Sequence, residues 1–122
     1  MKGDNISLRL EKFAVHVLAV VKALPKGAEG KHISMQLLRC GTSPGANYEE
    51  ARGAESKADF AHKLGIVLKE LRESRYWLRI IAQAELLPES RLADILQEAD
   101  ELCKIMAQSV LTTRRRDAGR EK

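Results

Sequence analysis

The sequence predicts an all-α fold, an antiparallel up-down-up-down four-helix bundle, and three observations carry that reading. Apolar residues recur at helical spacing through four long stretches. The breaks between them are short and hold glycine or proline. The chain has 122 residues, enough for one domain with a real core.

The first helix is expected from about Asn5 to Leu24. Asp4 or Asn5 can cap it, and Ile6, Leu10, Phe13, Val17, Val20, Val21 and Leu24 make one apolar face. Pro25 disfavours helix in the residue before it, and the PKGAEGK segment then reads as a loop. His32 opens the second helix, as a solvated first-turn residue rather than a ligand.

In the second helix, at about 100° per residue, Ile33, Leu37, Cys40, Pro44, Tyr48 and Ala51 fall within roughly 80° of arc. The stripe passes through Pro44 without losing phase, so one long helix is expected, kinked near Pro44, with Gly41 and Gly45 loosening the backbone on either side. Beside it runs a polar seam of Gln36, Ser43, Asn47 and Glu50, with Arg39 on its outer edge. The seam is either a binding site inside a bundle or a hydrogen-bonded network that fixes register or subunit pairing. A single carboxylate among amides and hydroxyls makes a poor metal set.

Ser56 stands three residues before Asp59, a variant of the capping box that starts the third helix. That helix is expected to continue to about Leu86. Phe60, Leu64, Val67, Leu71, Leu78 and Ala82 form its core stripe. A second stripe, Ile66, Trp77, Ile80 and Ala84, is more than a monomeric bundle needs, and it predicts an oligomer interface anchored by Trp77. The alternative is that Trp77 caps a wide monomer core. A third face carries Lys69, Arg72, Arg75 and Arg79, with Tyr76 beside them. It is either a solvated face paired to Glu70 and Glu73 or, repeated around an oligomer, a band able to hold phosphates.

Pro88 suits the first turn of the fourth helix, expected to run to Thr113 with Leu92, Ile95, Leu96, Ala99, Cys103, Met106 and Val110 inward. Glu98, Asp100 and Glu101 face away from that stripe, towards neighbouring basic residues. Domain organisation is then a bundle over residues 1–113 and a basic tail over 114–122, which its composition expects to be disordered in isolation. The net charge is +4, and the tail, with Arg114, Arg115, Arg116, Arg120 and Lys122 against Asp117 and Glu121, carries +3 of it. The body therefore holds only +1, which weakens any reading of a broadly basic surface.

Several of these residues also carry a resemblance. Leu24-Pro25-Lys26, Gln36-Leu37-Leu38-Arg39, Ser43 with Asn47 and Glu50, Ser56-Lys57-Ala58-Asp59-Phe60 and Glu70-Leu71-Arg72-Glu73 follow one another in the order of a known pattern. Over roughly residues 8 to 111 the chain resembles the four-helix bundle family called S23 ribosomal protein, products of intervening sequences in bacterial 23S rRNA genes. It departs from the pattern where Pro44 directly follows Ser43 and where Ala51 replaces a glycine. The resemblance implies a four-helix bundle that assembles as a homopentamer. A related group, the accessory variability determinant of diversity-generating retroelements, is similar in fold and acts with a reverse transcriptase and RNA.

Composition and motifs exclude several classes. The start MKGDNISLRLEKF lacks the unbroken apolar segment of a signal peptide, and no run approaches the roughly 18 apolar residues of a membrane span. The expected location is cytoplasmic, away from membranes. Cys40 and Cys103 fall on apolar stripes and are expected as buried reduced thiols. His16, His32 and His62 have no partners at metal-site or catalytic spacing, and no phosphate loop follows Gly41 or Gly45. No catalytic residue, metal site or cofactor is expected.

Two functions remain. One is an accessory protein that binds RNA or a ribonucleoprotein through Lys69, Arg72, Arg75, Arg79 and Arg114–Arg116. The other is a structural or adaptor oligomer that binds a protein partner, with no nucleic-acid role.

Overall fold

The structure, a computed structural model, describes residues 2–121, with side chains from residue 5 to residue 116. Four helices follow in order: α1 Lys2–Ala23, α2 Ala28–Arg52, α3 Lys57–Gln83 and α4 Glu89–Glu121. Each packs on the next and α1 also meets α4, whereas the diagonal pairs α1–α3 and α2–α4 do not approach. Short turns between successive helices make neighbours antiparallel, which gives the expected four-helix bundle. The α1–α4 seam is the loosest of the four.

The expected stripes form the core. Leu10, Phe13, Val17, Leu37, Leu64, Leu71, Leu78, Leu92, Ile95 and Met106 are all buried. On α3 the stripe shifts slightly, because Ile81 is buried where Ala82 was expected and Phe60 is half-buried in the first turn. Ser74 is also buried, its hydroxyl donating to the Glu70 carbonyl at 2.9 Å, so its polar atom is satisfied. Cys40 and Cys103 are buried and free, and loss of solvent pushes the Cys40 thiol up to about 11.

α2 passes unbroken through Pro44. The hydroxyls of Thr42 and Ser43 donate to the carbonyls of Leu38 and Arg39, each at 2.6 Å. Gly41 and Gly45 have a different part from the loosening expected of them. A Cβ on Gly41 would lie 2.7 Å from Cγ2 of Val17, and one on Gly45 would sit 3.7 Å from the Leu10 backbone. They are the flat strip on which α1 rests.

Element ends depart from expectation for local reasons. α1 starts at Lys2, ahead of the cap proposed at Asp4 or Asn5; the Asp4 side chain lies outside the described residues. α2 starts at Ala28 rather than His32, because Gly30 lets its first turn pass under Pro25; a Cβ there would lie 1.6 Å from the Pro25 carbonyl oxygen. Ser56 does cap α3, accepting from the Asp59 N–H at 3.0 Å. α3 ends at Gln83, three residues before the expected end. Its exit is a Schellman turn in which Leu86 N–H reaches Ile81 O at 3.0 Å and Glu85 N–H reaches Ala82 O at 3.1 Å. Glu85 therefore holds the left-handed conformation, φ 55°, usually given to glycine.

α4 continues to Glu121 instead of ending at Thr113. Arginine is a good helix former and nothing between Thr113 and Gly119 stops a helix. The 114–122 segment thus begins as helix, while the side chains of Asp117, Arg120 and Glu121, and all of Lys122, lie outside the described residues. Among the described residues no helix is long and apolar enough to cross a membrane.

Two substitutions check this account. Glu85→Gly relieves the left-handed strain and should raise stability by about 1 kcal/mol in urea unfolding. Gly41→Leu forces α1 off α2 and should lower stability by about 1–3 kcal/mol; an unchanged midpoint would mean that Gly41 does not set the spacing.

Candidate nucleic-acid interface

The α3–α4 seam gathers the cations that the sequence offered separately. α3 turns Arg72, Arg75 and Arg79 towards α4, where the field of all three partly offsets the burial that raises the Cys103 pKa. Arg75 Nη1 lies 3.4 Å and Arg79 Nη2 3.9 Å from Asp100 Oδ1 on α4. Further along the seam, Gly65 leaves room for the Arg114 guanidinium, which would sit only 3.6 Å from an added Cβ. The row from Arg79 to Gly65 spans about 21 Å at a rise of 1.5 Å per residue.

Not every member of the row is equally available. Asp100 partly neutralises Arg75 and Arg79, whereas Lys69, Arg72 and Arg114–Arg116 have no acidic partner among the described residues. Lys69 and Arg72 are exposed, as are Arg114, Arg115 and Arg116. Tyr76 is 54% exposed beside the row, its ring edge-on to Trp77 with centroids 5.0 Å apart. The pairing of these cations with Glu70 or Glu73, one of the two alternatives for this face, is not found among the described residues. Glu73 lies about 100° around the helix from Arg72, and both acids face α2.

There they meet part of the polar seam. Arg39 reaches Glu70 at 3.4 Å, the Gln36 amide oxygen at 3.3 Å, and Glu73. Trp77 Nε1 donates to Glu73 Oε2 at 3.1 Å, and the His32 ring stands edge-on to Trp77 at 5.7 Å. The other seam residues stay outside this network. Ser43 bonds its own helix, and Asn47 and Glu50 make no side-chain hydrogen bond among the described residues. Trp77 and Ile80 are half-buried and packed against the chain's own core; Ile66 is half-buried as well.

A further surface went unremarked in the sequence. Of the seven large apolar residues most exposed, five lie on the α1–α2 hairpin: Leu8, Val15, Leu18, Met35 and Leu38. Leu8, Val15 and Leu18 fall on the side of α1 away from its core face, at a spacing that could have been read from the sequence. The acids of α4 found the cations predicted for them: Glu98 and Glu101 hold Arg9 of α1, at 2.5 and 3.0 Å, and Asp100 holds Arg75 and Arg79. Among the described residues no group of three or more His, Cys, Asp or Glu could hold a metal ion.

The comparisons agree with this architecture. No curated protein is a significant match. A crystal structure of a protein of unknown function from the S23 ribosomal protein family of Bacteroides thetaiotaomicron VPI-5482 superposes with a TM-score of 0.82 at 34% identity. The alignment covers 90% of this chain and 98% of that one. The profile of a family described as 23S rRNA-intervening sequence protein matches residues 6–108, most of the bundle, and the chain belongs to that family.

Proposed function

We propose that this protein is a non-enzymatic, oligomeric accessory protein that binds RNA or a ribonucleoprotein along the α3–α4 seam. The observation that carries the reading is the Arg114 guanidinium against Gly65. It joins the start of the tail to Arg72, Arg75 and Arg79 in one row, where the sequence suggested a weak body and a separate basic tail. The family description places its members in an rRNA context, and this proposal extends that context to binding. Binding of this kind is dominated by phosphate neutralisation and falls steeply with salt.

The exposed hairpin face supports a second element, assembly. A patch on α1–α2 and the Ile66, Trp77, Ile80 stripe on α3 are different surfaces, and joining one to the other between copies gives a head-to-tail contact, which forms a ring where the rotation between copies closes. The resemblance implies five subunits. The same apolar face is what favours the adaptor reading, in which it takes a protein partner and the cations only solvate. A cytoplasmic location fits either reading.

Two measurements separate the possibilities. Fluorescence anisotropy of a labelled structured RNA should show affinity falling with salt, and the double reversal Arg72→Glu, Arg114→Glu should reduce the log–log salt slope by about 2. Unchanged affinity in that variant removes the RNA reading and leaves the adaptor. For assembly, Val15→Glu and Trp77→Glu should each give monomers by light scattering, and mixing the two should restore a dimer through one intact interface. Wild-type mass in both variants, or monomers after mixing, would reject the head-to-tail pairing.

A further inference from the structure

We infer that the end of the bundle between α1 and α4 is a binding site for a free, single-chain amphiphilic anion such as a medium-chain carboxylate. The loose α1–α4 seam opens there into a cleft of about 660 Å³ to which all four helices contribute. Its volume falls in the range of small-molecule sites, about 300–1,000 Å³. The floor is apolar, made by Ile6 of α1, Phe60 and Leu64 of α3 and Ile105 of α4. Phe60 and Ile105 are half-buried, so the floor can be reached from solvent.

The rim has the opposite character. Lys104 and Arg116 line the cleft, and neither has an acidic partner among the described residues. Among the described residues no carboxylate lines the cleft. The polar residues on its α4 wall are already engaged within the helix: Gln108 donates to Thr112 at 3.1 Å, and the Ser109 and Thr113 hydroxyls bond to carbonyls one turn back. Their hydroxyls are thus largely satisfied within α4. What is left unsatisfied is apolar surface at the bottom and positive charge at the mouth, and one molecule that answers both is an acyl chain ending in a carboxylate.

Among the described residues this charge is not shared by a second recess. That recess, about 620 Å³ at the α3–α4 turn, is also walled by leucines but is rimmed by Glu85 and Glu89. It would repel the same ligand. The α1–α4 cleft also lies apart from the exposed α1–α2 face and from the α3 stripe, so it is independent of the assembly proposed above.

The test is a titration of the full chain with decanoate and with decyltrimethylammonium, each below its micelle concentration, followed by amide chemical shifts. Decanoate should saturate as one molecule per chain, with the shifts centred on Ile6, Phe60, Leu64 and Ile105. The cationic analogue should bind about fivefold more weakly or worse. Lys104→Glu combined with Arg116→Glu should invert that order, both positions being exposed and tolerant of change. Thr112→Trp should fill the mouth and abolish saturation, with circular dichroism showing the helices retained. Equal affinity for the two head groups would overturn the proposal. So would shifts centred on Leu8, Val15 and Met35, non-saturating behaviour, or association with phosphatidylglycerol vesicles without any response to free decanoate.

Discussion

The close approach of α1 to α2 is the constraint from which much of the rest follows. Gly41 presents no Cβ, and Val17 occupies the space one would take. On its other flank α1 meets α4, and that seam is the one packed least closely. Among the described residues one clamp crosses it, Arg9 with Glu98 and Glu101, with Nη2 of Arg9 at 2.5 and 3.0 Å from the two carboxylates. These acids raise the Arg9 pKa, as expected of a guanidinium between carboxylates. The pairs are partly exposed, so each is worth at most about 1 kcal/mol. Beyond that clamp, towards Gly3 and Arg116, the seam opens into the cleft. A close α1–α2 contact on one flank and a polar clasp on the other thus frame a part of the core that opens to solvent beside α1.

Charge is sorted by helix face rather than spread over the surface. Arg39 takes Glu70 and Glu73, Arg9 takes Glu98 and Glu101, and Asp100 is shared by Arg75 and Arg79. These pairings cross three of the four seams and use up the acids best placed to neutralise the α3 row. Arg72 and Arg114 have no acidic partner among the described residues. A net charge of +4 is modest, yet several of its cations share one seam. Field concentrated along a strip is what a phosphate backbone responds to.

Much of the fold was legible because it depends on phase alone. The stripe from Ile33 to Ala51 kept its register through Pro44, and α2 is indeed continuous there. The failures fall where the answer depends on a second element. The start of α2 needed the Pro25 carbonyl above Gly30, and the end of α3 needed a glutamate in a conformation that composition assigns to glycine. The facing of Glu70 and Glu73 was different, because simple rotation from Arg72 already placed them on another side. The exposed stripe of Leu8, Val15 and Leu18 was equally readable, but the cleaner core face of α1 drew attention from it. The cleft had no signal in the sequence, since it is set by the distance between the first helix and the last.

The continuation of α4 past Thr113 changes what the basic tail can be. A disordered run of arginines would act as one diffuse contact for any polyanion. In a helix, residues 114 and 116 are about 200° apart. Arg114 turns to Gly65 on α3, whereas Arg116 lines the cleft beside α1. Helical geometry therefore assigns Arg114 and Arg116 to two different surfaces. Removing the whole segment would strip both surfaces together and could not tell them apart. Only single charge reversals resolve them: a loss confined to Arg114 variants belongs to the seam, and one confined to Arg116 variants belongs to the cleft.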